Sequence, residues 1–87
     1  MANDLANRIN IGKETEFKLK QAGINSVEEL CLVGSEQAFI RLQAIDPGAC
    51  LNLLYALEGA VEDIRWHDLP KEKKQELLRF FKMATKK

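Results

Sequence analysis

Trp66-His67-Asp68 places an indole, an imidazole and a carboxylate in consecutive positions, and His67 is the only histidine in the chain. An imidazole next to a carboxylate is the pair that activates a serine or cysteine, but the nucleophile must then lie within hydrogen-bond reach of the ring. Residues adjacent in sequence rarely provide that geometry, so the expectation is structural. Trp66 plugs the core, Asp68 helps cap the following helix, and His67 is half-buried or bonded to backbone. Cys31 and Cys50 add two thiols. A structural zinc site usually takes four Cys or His ligands, and these two with His67 make three at unrelated spacings. Each cysteine lies beside leucine in a helical pattern, so both are expected as free, buried thiols acting as small hydrophobes. Neither a phosphate-binding glycine loop nor a dinucleotide fingerprint is present. The residues thus point to no enzymatic reaction, no metal, no cofactor and no small-molecule substrate.

They point instead to a binding partner. In Ile9-Asn10-Ile11-Gly12-Lys13, Asn10 and Gly12 are residue types that tolerate positive φ, so a sharp turn is expected with Ile11 anchoring it in the core. The N–H groups ahead of the next helix, the positive end of that helix's dipole and Lys13 form a candidate anion site. A phosphate of double-stranded DNA fits such a site without any base being read. Asn10 stands where the general helix-hairpin-helix pattern usually has a second glycine, and Glu14 and Glu16 weaken the local field. One hairpin touches few phosphates, so binding through it would be weak and strongly salt-dependent. Lys71, Arg79, Lys82 and Lys86 offer a second basic surface that would track a neighbouring phosphate run. The net charge of zero conceals this: residues 1–68 carry a balance of −5 and residues 69–87 a balance of +5.

Helices must position these groups, because no period-2 runs or Asn-Gly turns mark strands. A short helix is expected over 2–8. The next runs from Lys13 to Ala22, with Phe17 and Leu19 facing inward and Gly23 as a left-handed stop. Ser26 and Glu29 have capping-box spacing for a helix that ends near Val33-Gly34. Ser35 is expected to cap a helix with Ala38, Phe39 and Leu42 on one face, and Asp46-Pro47 to start another. That one carries Cys50, Leu53, Leu54, Leu57, Val61 and Ile64 at i, i+3, i+4, i+7 spacing and should be the central core helix. Gly59 within it costs about 1 kcal/mol relative to alanine, which a close crossing or a local helix end would explain. A last helix opens at about Pro70 with Leu77, Leu78, Phe81 and Ala84 as its apolar stripe. The result is an all-α, compact bundle of five to six short helices in one domain, 1–87. At 46% hydrophobic and 30% charged the chain has enough apolar content for a core. With no apolar run near the roughly 20 residues that span a membrane, and no signal peptide, the expected location is cytoplasmic.

From Ile9 to about Phe81 the chain resembles the C-terminal domain of the TfoX/Sxy competence regulators. The residues carrying the resemblance are Asn10-Ile11-Gly12, Leu19 with Gly23-Ile24, Val27-Glu28-Glu29-Leu30, Gly34, Ala38 and Arg41-Leu42. Above all there is the run Leu51-Asn52-Leu53-Leu54-Tyr55-Ala56-Leu57-Glu58-Gly59-Ala60, followed by Trp66, Leu69-Pro70, Lys74 and Leu77. The resemblance implies a helix-hairpin-helix, SAM-domain-like fold and a role near DNA uptake and transcriptional control of competence genes. Full-length members carry an α/β domain ahead of this module, for which 87 residues leave no room, so a stand-alone version is expected. By position only Asn10, Gly12 and Lys13 match the hairpin. The leading expectation is a non-enzymatic accessory module that binds double-stranded DNA or docks a transcriptional regulator. The alternative is a protein-interaction module with no intrinsic DNA binding, self-association being one form of it, that uses an apolar patch around Tyr55 or Phe80.

Overall fold

Glycines and capping side chains divide the chain into helices. The computed structural model describes residues 8–85, in which α1 spans Lys13–Gln21, α2 Val27–Val33, α3 Ser35–Ile45, α4 Leu51–Glu62 and α5 Lys71–Thr85, with a 3-10 turn at Trp66–Asp68. No strand occurs among the described residues. The helix expected over 2–8 lies outside them. The radius of gyration is 11.9 Å, against about 12 Å for a compact chain of this length.

Two helix boundaries follow the sequence expectation closely. Gly23 has φ +88, and the N–H groups of Ile24 and Gly23 donate to the carbonyls of Leu19 (2.8 Å) and Lys20 (3.0 Å). This Schellman closure places Ile24 against Leu19, and both are fully buried. At the start of α2 the Ser26 hydroxyl accepts from Glu29 N–H at 3.1 Å. The Glu29 carboxylate accepts from Asn25 N–H at 2.6 Å, one residue before the cap.

Two other boundaries differ. Gly34 has φ +87 and joins α2 to α3 by a single residue, so Ser35 is already the first residue of α3 rather than its cap. Asp46 ends α3 instead of starting α4. Its carboxylate accepts from Gly48 N–H at 3.0 Å, and its carbonyl accepts from Ala49 N–H. A tight turn therefore uses up the proline and the glycine before α4 begins at Leu51. Cys50 consequently occupies the extended position ahead of α4 and is exposed.

The core is built around α3 and α4. Phe39, Leu42, Leu54, Leu57 and Ala60 are completely buried, joined by Leu19, Leu30 and Leu77 from the surrounding helices. α4 touches α2, α3, α5 and the 3-10 turn, while α1 packs on α3. Phe39 meets Phe81 of α5 with ring centroids 5.8 Å apart. Phe17 is 62% exposed, against expectation: two positions from Leu19 means roughly 200° around the helix, so both cannot face one core. Cys31 is exposed for a similar reason, since Leu30 is the only fully buried residue of the short α2. Tyr55 and Phe80 are half-buried against the core rather than an open patch. The large apolar side chains facing outward are Phe17, Leu32, Ile40, Ile45 and Met83.

Candidate nucleic-acid interface

The turn before α1 is left-handed at Asn10, with φ 70, and is closed by Ile11 N–H donating to the Arg8 carbonyl at 3.0 Å. Ile11 is 95% buried and anchors it. Gly12 does not take positive φ; it is extended, with φ −105, and begins α1 without any side-chain cap. A Cβ at Gly12 would meet nothing within 4 Å, so the space beside Gly12 is open. Lys13 is exposed, and its ammonium has no partner among the described residues. Glu14 and Glu16 lie in the same first turn. Glu16 is paired with Lys20 at 3.6 Å, which offsets part of its field.

Asn10 has a different task from the other two. Its side-chain Nδ2 donates to the Ile64 carbonyl at 2.8 Å, and its Oδ1 accepts from Trp66 N–H at 3.3 Å. Both amide ends are thus taken up by the chain leaving α4, so Asn10 braces the turn rather than meeting a phosphate. Gly59 makes room for this brace. A Cβ there would collide with Asn10 Nδ2 and lie 2.7 Å from the Ile64 carbonyl and 3.1 Å from Trp66 N. α4 ends on left-handed Asp63, with Ile64 N–H donating to the Gly59 carbonyl at 2.9 Å. Arg8 adds a second strap: its Nε donates to the Ala60 carbonyl at 2.8 Å, and its guanidinium pairs with Asp63 at 3.5 Å.

α5 starts at Lys71, shortly after the 3-10 turn whose first N–H Asn10 accepts from. Lys71, Arg79 and Lys82 are exposed. At 100° per residue they fall within an arc of about 80°, directed away from the Leu77 stripe. Arg79 and Lys82 lie about 12 and 17 Å farther along the axis. Lys86 is outside the described residues.

Around Trp66 three rings form a stack that the sequence did not disclose. Tyr55 and Trp66 have centroids 5.6 Å apart at 24°, and Trp66 and His67 are 4.0 Å apart at 26°. His67 is exposed rather than half-buried. Trp66 is half-buried between its two neighbours, and Asp68 is exposed with no hydrogen bond to its carboxylate among the described residues. Lys74 extends over the indole, its Nζ 5.8 Å from the ring centroid and 3.3 Å from the His67 carbonyl.

A second polar cluster lies where α3, α4 and α5 meet. Glu58, only 9% exposed, accepts from the Ser35 hydroxyl at 2.5 Å and faces Lys73 at 3.7 Å. The negative charge of Glu58 raises the Lys73 pKa, and its carboxyl also holds that of Glu62 up. The cluster borders a shallow groove of about 330 Å³ that includes Glu36, Glu76 and Leu77. No group of three or more metal-ligating side chains exists among the described residues.

The run from the turn through α4 to α5 is the part of the chain that carried the resemblance, and the family model for the TfoX C-terminal domain matches residues 1–81. The chain belongs to the TfoX C-terminal domain family. That family is not a known family of enzymes. Two crystal structures of proteins of unknown function from Listeria monocytogenes are similar to this TfoX C-terminal domain. The triclinic form is 47% identical with a TM-score of 0.94, over 98% of this chain and 96% of that one. The tetragonal form is 48% identical with a TM-score of 0.88, over 91% and 96%. No curated protein matches the chain at a significant level. Among the described residues of this TfoX C-terminal domain, no helix is long and apolar enough to cross a membrane.

Proposed function

We propose that this domain is an accessory module of competence regulation that grips the backbone of double-stranded DNA. The observation that carries the reading is the side-chain-uncapped amino end of α1 at Gly12, with the exposed Lys13 as its first residue. Backbone N–H groups and Lys13 hold one phosphate, and the solvent face of α5 follows the strand with Lys71, Arg79 and Lys82. Lys86, outside the described residues, would add one more cation close in sequence. Asn10 contributes indirectly, by fixing the turn. Only a few phosphates are engaged, so affinity falls in the non-specific range and drops steeply with salt.

Fluorescence anisotropy of a labelled duplex at ~50 mM salt tests this reading. The expected result is saturable binding that weakens with added salt and with Lys13→Ala. Absence of binding, or binding indifferent to both, sinks it.

A second reading, docking to a transcriptional regulator protein or to another copy, is favoured by Leu32 and Met83, which are 86% and 76% exposed. Light scattering with wild type and with Leu32→Ser/Met83→Ser separates the two readings. A monomer at every concentration removes the self-associating version.

A further inference from the structure

We propose that the Tyr55–Trp66–His67 ring stack is a platform for an unpaired nucleobase of single-stranded DNA, with the surrounding cations holding the adjoining phosphates. The stack is fixed from below. Leu69, 95% buried, anchors the 3-10 turn, Asn10 Oδ1 accepts from Trp66 N–H, and the Tyr55 hydroxyl reaches the Lys74 carbonyl at 3.5 Å. His67 ends the stack on the solvent side. One imidazole face lies on the indole at 4.0 Å, the residue is exposed, and its ring nitrogens have no hydrogen-bond partner among the described residues. Core packing does not require a ring in that place. A flat, exposed aromatic face on a rigid support is what a base needs in order to add itself to a stack, and every base has a suitable face.

The charges around the platform select the ligand. Arg65 and Lys71 are exposed on either side of the turn, and Lys74 lies over the indole. Lys13 stands on the hairpin that Asn10 joins to Trp66. Asp68 and Glu72 are the acidic residues within 65–74, against Arg65, Lys71 and Lys74; Lys73, the fourth cation of that stretch, is turned to Glu58 and Glu76 instead. A positive rim around stacked rings fits a base with phosphates on both sides. Single-stranded DNA presents such a face, whereas the bases of a duplex are already stacked on each other.

The platform rests on the backbone-binding reading for its phosphate contacts but uses rings that a duplex does not need. The test uses the full chain, whose single tryptophan is Trp66, at ~50 mM salt. Oligo-dT of about 16 nucleotides is expected to bind and quench Trp66 emission. An abasic oligonucleotide with the same number of phosphates is expected to bind about tenfold more weakly without quenching. His67→Ala is expected to lower oligo-dT affinity about tenfold, and His67→Phe to restore it, both leaving duplex affinity unchanged. Equal binding of the abasic strand, absence of quenching, or an unchanged His67→Ala overturns the platform. The first two readouts use the wild-type chain, so they stand whether or not the variants fold. Duplex binding without quenching by oligo-dT overturns the platform alone. Quenching by oligo-dT without duplex binding supports the platform and overturns the double-strand reading.

Discussion

Gly59 and Asn10 work as a pair: the missing Cβ of one makes room for the amide of the other. Gly59→Ala raises intrinsic helix propensity by about 1 kcal/mol. Its new methyl group, however, would sit 2.7 Å from the Ile64 carbonyl, a main-chain atom that cannot swing aside. Overpacking of that kind costs roughly 1–3 kcal/mol, so the variant is expected to unfold at lower urea than wild type. A gain in midpoint would show that the turn is not seated on α4 in this way. Asn10→Ala removes a donor and an acceptor from Ile64 and Trp66 and also strains a backbone position with φ 70. Its expected loss is about 1–3 kcal/mol. Asn10→Gly tolerates the φ and is expected to lose less, a ranking that urea midpoints check. The sequence did reveal that Asn10 is a turn residue, because that property belongs to its own backbone. Its side-chain partners lie 54 and 56 residues away, and no local pattern announces them.

Between elements, the Lys18–Asp46 pair ties α1 to the end of α3 at 2.6 Å. The hydrogen bond from Lys18, followed by that from Gly48 N–H, holds the Asp46 carboxyl below the usual aspartate range. Because the folded-state pKa is depressed, the contribution is present above the ordinary aspartate value and is lost as pH falls through the lowered one. Asp46→Asn is therefore expected to be less stable than wild type at neutral pH, with the gap closing as pH drops below the aspartate range. Urea midpoints across pH 7 to 3 provide the check, and a gap that persists at the acid end would put the effect down to packing. The same residue shows where reading by local signals stopped. Ser26, Gly23 and the apolar stripes of α3, α4 and α5 were legible because caps and a 3.6-residue period are local properties, although Cys50 and Ile64, expected on the α4 stripe, fall just outside the two ends of that helix. Asp46-Pro47 carried an equally good helix-start pattern, but the carboxylate was captured by Gly48 N–H and Lys18. Only the first of these competitors is near it in sequence.

Across the whole molecule the sequence divides charge between an acidic body and a basic last helix, and the fold keeps Lys71, Arg79 and Lys82 of that helix on one solvent face, while Lys73 turns to Glu58 and Lys74 to the indole. This much of the candidate site was readable, because the face of a helix follows from spacing alone. The ring stack was not, since it joins Tyr55 of α4 to a turn whose backbone only the finished fold positions. The charge division leads to a quantitative expectation. If Lys13, Lys71, Arg79 and Lys82 each neutralise one phosphate of a duplex, log K should fall with log salt with a slope of about −3 to −4. Replacing Lys71, Arg79 and Lys82 together by alanine should shrink the slope to about −1, since one cation remains. These side chains lie away from the Leu77 stripe, so stability should stay within about 0.5 kcal/mol per site, and circular dichroism melts confirm that the folded protein is being compared. A slope that the triple variant leaves unchanged would move the backbone contact off α5. A slope near zero in wild type would mean that the acidic body, with its balance of −5 over residues 1–68, outweighs the basic helix and that the partner is not a polyanion.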